Sequence, residues 1–483
     1  MDKRLNKLFN PENIAVVGAS NNPQKAGFVI MKNLIKIGYP KRIFPININE
    51  DSVAGIKCYK QLSDIDDIIE MVVLITPADM IFDVMEDLDR RMTLKNDVKI
   101  IICAAADYGE TKTAEGIRRQ DCLMNTASKY GIRVVGPNCI GVIDNVNKVD
   151  TTFVETLLPS DAKEIKGGVS VISQSGAIAA SLLMMGASKP APIAFNKFIS
   201  IGNMADVDFV DLLEYFEQDE ETRVIGLYLE GYSDGRKLID TMSRITPKKP
   251  IVVLKVGRSE EGASAANSHT GSLAGADAIY DSAFRQNGVI RVDTIDEMMD
   301  TLQAFDKLKL PENNKVFVLS QAGGPGIYCT DEVSAHDNLE MPIISDETKE
   351  KLKKITPPMS SICFPEGYAD ITASANVEQH VEALRAVMDD PNVGSVMFIT
   401  VTPTFLSREK LAAGLIGLLD GEGYRNNKPA LITIMAGNYV WECRRTIEEK
   451  GIYTFPLPDY GVKALSNMVQ YSSYIKRKQE ETR

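Results

Sequence analysis

The sequence predicts an α/β protein of three domains, each built on a parallel β-sheet with helices on both faces. Three observations support this fold class. The chain has 483 residues, which exceeds the size at which a single hydrophobic core stops growing. Short runs rich in valine and isoleucine alternate with longer amphipathic segments at intervals of about 25 to 30 residues, as βαβ units do. The third observation is an internal repeat in the part of the chain that follows residue 145.

The first domain is predicted at residues 1–145, where the strands are near-continuous apolar runs. These runs are "NIAVVGAS", "RIFPINI", "MVVLITPA", "VKIIICAAA" and "IRVVGPNCIGVI". Such runs are typical of parallel strands that are covered on both faces of the sheet.

The second domain (146–308) and the third (309–483) repeat one order of motifs. "VSVISQSG" in the second domain corresponds to "VFVLSQAGG" in the third. "VIGLYLEGY" then corresponds to "SVMFITVTP", and "KKPIVVLKVGR" to "NKPALITIMAG". We interpret the repeat as an internal duplication of one flavodoxin-like domain, with linkers near residues 145–165 and 307–314.

Composition excludes several classes of protein. Hydrophobic residues make up 44% of the chain and charged residues 25%, which is the usage of a globular protein and not of a disordered one. The formal charge of −12 disfavours binding to nucleic acid or to an anionic membrane. No apolar run is long enough for a membrane span and the start lacks a secretory signal core, so we expect a cytoplasmic protein. The seven cysteines form no metal-ligand pattern, and we expect reduced thiols and no metal site.

The stretch "AVVGASNNPQKAG" predicts a phosphate-binding turn between a strand that ends before Gly18 and the helix after it, because helix N-termini attract anions. It is not a dinucleotide fingerprint. The second and third glycines of G-x-G-x-x-G are absent, and Asn47 stands where an NAD enzyme has a carboxylate. A nucleotide with a phosphate on its ribose suits Asn47 and Lys25 better. The alternative is that Gly18 only makes a tight turn, while Ser20 or Asn21 caps a helix.

Two other strand ends favour a ligand site over that alternative. "ITPA" places Thr76 and Pro77 after one strand, and "VGPNCIGV" places Pro137 and Asn138 after another. Open α/β sheets bind their ligands at the carboxyl ends of their strands.

His269, in "ANSHTGSLAG", is the candidate nucleophile. Its small neighbours predict a pliable loop that can approach a ligand closely, and the third domain has no counterpart. A neutral imidazole is a competent nucleophile when a carboxylate orients its other nitrogen. Glu230 is the best candidate for that carboxylate, because it ends the apolar strand of "LYLEGY". The alternative is a structural or surface histidine, which is how we interpret His336 and His380.

Two predicted helix starts offer donors to a phosphoryl group near such a histidine. They are "SQSGA" at residues 173–177 and "SQAGGPG" at residues 320–326. The alternative is that both turns merely connect a strand to a helix. The candidate phosphate-binding residues are Gln174, Ser175, Gly176, Ala177, Gly323 and Gly324.

Together, "NIAVVGASNNPQKAG", "VGPNCIGV", "VISQSGA", "ISIGNMADVDFVDLLEY", "LYLEGYSDGRK", "NSHTGSLAGAD" and "SQAGGPG" resemble the α subunit of ADP-forming acyl-CoA synthetases of the acetate–CoA ligase type, relatives of succinyl-CoA synthetase α. The resemblance covers nearly the whole chain. It implies a Rossmann-like CoA-binding domain followed by two flavodoxin-like domains. It also implies that acyl-CoA and phosphate yield an acyl phosphate, that His269 takes its phosphoryl group and passes it to ADP, and that Glu230 steadies the histidine.

The resemblance also implies which residues contact CoA, and two stretches depart from the family. "CAAADYGET" (103–111) replaces a "SAGF"-like stretch. "PPMSSICFPEGYADITASA" lacks the usual "GNPVD", although Asp370 and Thr372 remain. These departures point to an unusual choice of acyl group. The implied CoA contacts are Gly18, Ser20, Asn21, Lys25, Pro45, Asn47, Thr76, Pro77 and Asn138.

No stretch of the sequence suits an ATP-grasp domain. We therefore expect a separate ATP-grasp β subunit that binds Mg-ADP or Mg-ATP, in an α2β2 or similar complex, with a small carboxylic acid, acyl-CoA and phosphate as the substrates. Two other functions are alternatives to this one. One is a non-catalytic CoA-binding regulatory subunit, and the other is an NAD-linked dehydrogenase, which the missing glycines and Asn47 disfavour.

Overall fold

The computed structural model describes residues 2–155, 167–193, 195–270, 277–421, 424 and 428–482. The chain forms two compact units. The first comprises Met1–Ser188 and Pro192–Asn287, and the second comprises Lys189–Ala191 and Gly288–Arg483. The boundaries of the three predicted domains stay a prediction.

The first unit begins with a five-stranded parallel sheet in the order β2-β1-β5-β6-β7. Every residue of β1, β2, β5 and β6 is buried, which explains their continuous apolar sequence. The strands are β1 (Ile14–Val17), β2 (Ile43–Ile46), β5 (Met71–Leu74), β6 (Ile100–Cys103) and β7 (Arg133–Val135), with a separate hairpin of β3 (Ser52–Val53) and β4 (Ile56–Lys57). The helices are α1 (Asn6–Phe9), α2 (Ala26–Ile37), α3 (Ile81–Lys95) and α4 (Ala114–Tyr130).

A second sheet follows in the same unit, and its strands there run in the order β13-β12-β10-β11-β8-β9. Strands β10 to β13 are parallel, whereas β8 pairs antiparallel with β11 and β9. The strands are β8 (Val142–Asp144), β9 (Val149–Asp150), β10 (Val169–Ser173), β11 (Lys197–Ser200), β12 (Val224–Leu229) and β13 (Ile251–Lys255). The helices are α5 (Gly176–Ala187), α6 (Phe209–Gln218), α7 (Gly235–Ile245), α8 (Glu260–Thr270) and α9 (Asp277–Gln286).

The second unit contains a sheet in the order β16-β17-β15-β18-β19-β20, parallel except for β16. The strands of this sheet are β15 (Val316–Ser320), β16 (Ser361–Ile362), β17 (Tyr368–Asp370), β18 (Ser395–Thr400), β19 (Ala430–Ile434) and β20 (Thr454–Phe455), and the unit also contains β14 (Ile290–Val292) outside it. Its helices are α10 (Ile295–Lys307), α11 (Gly323–Ser334), α12 (Asp346–Ile355), α13 (Val377–Asp389), α14 (Arg408–Leu419), α15 (Trp441–Glu448) and α16 (Pro458–Thr482). No helix in the described ranges combines the length and apolar composition needed to cross a bilayer.

The internal duplication is visible in one pair of glutamines. Gln174 follows β10, and its Oε1 accepts a hydrogen bond from the backbone N–H of Glu230 at 2.7 Å. Gln321 follows β15, and its Oε1 accepts from the backbone N–H of Val401 at 3.0 Å. In each sheet the glutamine therefore ties the end of one strand to the end of its neighbour. The architecture confirms the predicted α/β class with parallel sheets.

The two sheets of the first unit are joined through β7. The Arg133 guanidinium contacts three carboxylates, those of Asp2 at 2.8 Å, Asp206 at 2.9 Å and Asp211 at 2.6 Å. Asp206 lies in the loop after β11 and Asp211 lies on α6, so both belong to the part of the unit that contains the second sheet. Only 11% of the arginine side chain is exposed. The N–H of Val207 also donates to the carbonyl of Val134 at 3.0 Å. The first sheet is thus locked to the second by charge and by backbone hydrogen bonds.

Replacing Arg133 with methionine should lower the free energy of unfolding by roughly 2 to 4 kcal/mol, because it leaves three half-buried carboxylates without their common cation. Urea denaturation followed by circular dichroism would measure the loss. The matched control is Arg90→Met. Its half-exposed guanidinium pairs with Glu86 at 3.0 Å and lies 3.6 Å from Asp87, which keeps its hydrogen bonds to the backbone of Leu62 and Ser63, so the loss should be under about 1 kcal/mol. Equal losses in the two variants would contradict the assigned role of Arg133.

Candidate functional site

The turn after β1 lies at the switch point of the first sheet, between β1 and β5, where open α/β sheets bind ligands. Gly18 has a φ of +96°, and a Cβ on it would lie 2.9 Å from the carbonyl carbon and oxygen of Ile75. A Cβ on Gly27 would lie 2.1 Å from the carbonyl oxygen of Gly18. Both glycines are required because the turn, the loop after β5 and the start of α2 touch through their backbones.

Helix α2 begins at Ala26 with Lys25 as its N-cap, and no described side chain caps it. The Ser20 hydroxyl instead accepts a hydrogen bond from the N–H of Asn22 at 3.1 Å. The alternative in which Ser20 or Asn21 caps the helix is therefore wrong. The helix dipole and the first N–H groups of α2 remain available to an anion, and the exposed Lys25 stands beside them. This geometry fits a ligand that carries phosphate.

Two asparagines predicted as ligand contacts hold the walls of this turn. The side-chain amide of Asn21 donates to the carbonyl of Ser52 at 2.7 Å and to a Glu50 carboxylate oxygen at 2.9 Å, which fixes the hairpin of β3 and β4. The amide of Asn47 donates to the carbonyl of Ala19 at 2.8 Å, which fixes the loop after β2. Both side chains shape the site through the backbone that they hold.

The other predicted contacts occupy different places relative to the edge of the sheet. Pro45 is buried inside β2, and its carbonyl accepts from the N–H of Tyr59 at 2.9 Å. Thr76 and Pro77 lie in the loop after β5 at the carboxyl edge, and Pro77 is exposed. Asn138 lies in the loop after β7 with a φ of +58°. Apart from Pro45, these residues line the same edge as Gly18.

Glu230 directly follows β12 and is 7% exposed. Its carbonyl accepts a hydrogen bond from Lys255 Nζ at 2.9 Å. Lys255 is only 1% exposed and also donates to the carbonyl of Val256. Burial raises the pKa of Tyr228 to about 12, and the Glu230 carboxylate adds to the rise. A buried lysine and a glutamine therefore hold the backbone of Glu230 from two sides.

Sequence reasoning missed Lys255, although the signal it carries is the one that identified Glu230. Both are charged residues at the end of an apolar strand, "LYLE" in one case and "IVVLK" in the other. The two strands are neighbours, and Leu229 pairs with Lys255.

The backbone of His269 lies in the last turn of α8, whereas its side chain and residues 271–276 lie outside the described part of the chain. The expectation of a loop is therefore wrong for residues 260–270. Glu260 and Glu261 favour a helix start through their charge, and the alanines that follow have the highest helix propensity. The Ser259 hydroxyl accepts from the N–H of Gly262 at 3.0 Å, as a capping residue does. Helix α8 follows β13, which is the neighbour of β12, the strand directly before Glu230.

The two predicted anion-binding helix starts are both present. Helix α5 begins at Gly176, and the hydroxyl of Ser175 accepts from the N–H of Ile178 at 3.3 Å. Gln174 directs its amide to the loop after β12 and not outward, because its Nε2 donates to the carbonyl of Gly231 at 2.9 Å.

In the second unit, α11 begins at Gly323, and among the described residues no side chain caps it. Gly324 is exposed there. Asp370 lies beside this start, since its Oδ2 is 3.1 Å from the position that a Cβ on Gly323 would take. The assignment of phosphate to these helix starts stays a prediction.

A glycine turn at the switch point of one sheet, joined to a second sheet with a buried glutamate at a strand end, is an arrangement that fits the class of CoA-dependent ligases. A family model for a CoA-binding domain matches residues 12–145, and a model for a succinyl-CoA ligase-like flavodoxin domain matches residues 166–305. The chain is 37% identical to the α subunit of ADP-forming acetate–CoA ligase II of Pyrococcus furiosus, over 98% of each chain. It belongs to the family of ADP-forming acetate–CoA ligase α subunits.

Two further relatives extend this comparison. An ADP-forming acetate–CoA ligase of Methanocaldococcus jannaschii is 34% identical over 98% of this chain, which spans 64% of that protein. A solved structure of acetyl-coenzyme A synthetase 1 of Candidatus Korarchaeum cryptofilum, in complex with phosphate and ADP, has a TM-score of 0.86 and 32% identity over 98% of each chain.

Proposed function

We propose that this chain is the catalytic α subunit of an ADP-forming acid–CoA ligase. The enzyme interconverts acyl-CoA, ADP and phosphate with a carboxylic acid, ATP and CoA. End-to-end similarity to the Pyrococcus α subunit carries the proposal. Two features of the first unit support it as well. The glycine turn at Gly18 would offer a site for a nucleotide phosphate. Glu230 is a buried residue directly after β12, and the neighbouring strand β13 leads into the helix that contains His269.

In the proposed reaction, phosphate attacks the thioester carbonyl, CoA leaves as its thiol, and an acyl phosphate forms. A neutral nitrogen of His269 then attacks the phosphorus, and the carboxylic acid departs as its carboxylate. The N-terminus of α5, with Gln174, Ser175, Gly176 and Ala177, is proposed to receive the phosphoryl oxygens. The N-terminus of α11, with Gly323 and Gly324, is proposed as a separate phosphate site of the second unit. A terminal oxygen of ADP finally takes the phosphoryl group and restores the neutral imidazole.

The CoA contacts are proposed at the carboxyl edge of the first sheet. Backbone groups at Gly18 and at the start of α2 would hold the phosphates, and Lys25 would add a positive charge. Asn21 and Asn47 would act by holding the hairpin and the loop that form the walls. Equilibrium binding of CoA, with NAD as the comparison, tests this assignment on the full chain, and preferential binding of NAD would contradict it.

We also propose a separate β subunit with an ATP-grasp domain, Mg-ADP or Mg-ATP bound to it, and an α2β2 assembly. Two comparisons support this. The Pyrococcus relative is named as an α subunit and matches along 98% of its length, whereas the Methanocaldococcus relative extends well beyond the matched region. Turnover of ADP by the purified chain alone, with acetyl-CoA and phosphate, would contradict the proposal of a separate subunit.

We also propose a cytoplasmic location, which the seven free thiols support.

Glu230→Gln should slow phosphorylation of His269 by roughly 100-fold or more, because a neutral amide no longer stabilises a positively charged imidazole. CoA affinity should stay within about twofold, since Glu230 lies on the second sheet and not at the Gly18 turn. Incorporation of labelled phosphate from acetyl phosphate measures the first quantity, and calorimetry the second. Glu214→Gln, a surface substitution on α6, is the matched control. Wild-type rates in Glu230→Gln would remove Glu230 from the mechanism.

A further inference from the structure

Three loops at the carboxyl edges of the two sheets of the first unit are joined in a closed ring of hydrogen bonds. The N–H of Asn138, after β7, donates to the carbonyl of Ala105, after β6, at 2.9 Å. The amide of Asn138 donates to Oδ1 of Asn203, after β11, at 3.4 Å. The amide of Asn203 donates to Oε2 of Glu110 at 2.5 Å. Glu110 belongs to the same loop as Ala105, so the ring closes there.

Glu110 also holds its own loop together. Its other oxygen, Oε1, accepts from the backbone N–H of Asp107 at 2.7 Å and of Tyr108 at 3.2 Å. Tyr108 is 2% exposed and belongs to the same buried core as Cys103 at the end of β6. Both carboxylate oxygens of Glu110 are therefore engaged, one within the first sheet's loop and one with the second sheet.

The backbone strengthens this connection at Asn203. Its N–H donates to the carbonyl of Pro137 at 2.9 Å. A Cβ on the preceding Gly202, which has a φ of +51°, would lie 2.2 Å from the same carbonyl oxygen. The loop after β11 thus reaches the first sheet through direct backbone contact, and the side chain of Asn203 is presented to Glu110 from a fixed position.

The ring lies at the far end of the ligand edge from the phosphate-ready turn. In the order β2-β1-β5-β6-β7, the turn at Gly18 follows β1, and the ring joins the loops after β6 and β7. Strands are spaced by about 4.8 Å, so roughly 10 to 14 Å separate the two places along the edge. A long ligand whose phosphates occupy the turn can reach the ring only with its opposite end.

We propose that Glu110 and Asn203 are positioning residues for the acyl-thioester end of the substrate. The inference rests on the proposed function. Asn203 belongs to the sheet that carries Glu230, whereas Glu110 belongs to the sheet that would bind CoA. Their hydrogen bond therefore sets the position of the loop after β6, with its small residues Ala104 to Ala106, relative to the sheet on which the phosphoryl group is transferred. Neither residue is assigned a contact with substrate.

The test exchanges the carboxylate of Glu110 and the amide of Asn203. It measures the affinity for acetyl-CoA and the affinity for the nucleotide end of CoA separately. Asn203→Asp places a second carboxylate against Glu110 and should force the loop away. Calorimetry on the full chain should then give an affinity for acetyl-CoA lowered roughly 10- to 100-fold, and an affinity for adenosine 3′,5′-bisphosphate, the nucleotide end of CoA, within about twofold of wild type.

The double variant Glu110→Gln with Asn203→Asp should restore acetyl-CoA affinity to within about threefold of wild type. The introduced glutamine would keep an oxygen for the two backbone N–H groups and donate its amide to the introduced aspartate, whose second oxygen would still accept from Asn138. A variant that lost affinity only through poor folding would lose affinity for both ligands. Asn203→Ala, which removes the bond without adding charge, should show the same selective loss to a smaller degree.

Three results would overturn the inference: unchanged acetyl-CoA affinity in Asn203→Asp, equal losses for the two ligands, and a double variant no better than the single one. Failure of the wild-type chain to bind acetyl-CoA would overturn the proposed function, and this inference with it. Because the wild type is measured first, the two failures are distinguishable.

Discussion

Replacing His269 with alanine is expected to reduce turnover of the complete enzyme by about 10⁴-fold or more, because no other group is proposed to carry the phosphoryl group between the two half-reactions. CoA affinity should be unchanged, since the Gly18 turn lies on a different sheet. With labelled phosphate and acetyl-CoA, the wild-type chain should acquire an acid-labile, base-stable label, and His269→Ala should acquire none.

The matched control is His336→Ala, which removes another histidine, one that lies in the second unit. That variant should keep both the label and the turnover. Full activity in His269→Ala would exclude the phosphohistidine mechanism. CoA binding in the same variant would still leave the chain as a CoA-binding subunit, which is the regulatory alternative.

Replacing Gly18 with alanine should lower CoA affinity by at least ~100-fold and destabilise the chain by roughly 1 to 3 kcal/mol. The new Cβ would meet the backbone of Ile75 at 2.9 Å, and the φ of +96° is unfavourable for any residue with a side chain. The loop after β5 would have to move, and the phosphate-ready turn would move with it. Calorimetric titration with CoA and urea denaturation measure the two effects.

Gly38→Ala separates conformational strain from the effect on the site. Gly38 ends α2 with a φ of +76°, and nothing lies within 4 Å of the position of its Cβ. This variant should lose about 1 kcal/mol of stability and keep its CoA affinity. If Gly18→Ala bound CoA as Gly38→Ala does, the turn after β1 would not be the phosphate site.

Sequence patterns predicted the strands well because buried parallel strands need apolar residues on both faces. "IAVV", "MVVL" and "IIIC" became β1, β5 and β6, and every one of their residues is buried. The duplication was predicted for a related reason. Two copies that bury the same faces keep the same order of motifs, and the matching roles of Gln174 and Gln321 show that the copies also keep a polar connection.

Sequence patterns failed to predict the local structure before His269, where some residues favour a loop and others favour a helix. The residues around His269 are small and polar, which suggests a loop, yet Glu260–Thr270 forms a helix because acidic residues at its start and several alanines favour one. The contacts of Asn21 and Asn47 with a ligand stay a prediction, and what the sequence did not indicate is that their amides donate to backbone carbonyls of this chain. A single sequence does not indicate which of its polar groups will satisfy one another.

The sequence by itself determined the fold class, the repeat, the glycine turn and the candidate pair of Glu230 and His269, because each depends on the type and order of nearby residues. Only the tertiary structure decided that Lys255 holds Glu230, that Arg133 joins two sheets, and that Glu110 meets Asn203. Glu110 and Asn203 are 93 positions apart, and no local pattern specifies their contact. Such contacts are set by how whole sheets pack, which is a property of the folded chain and not of any one segment.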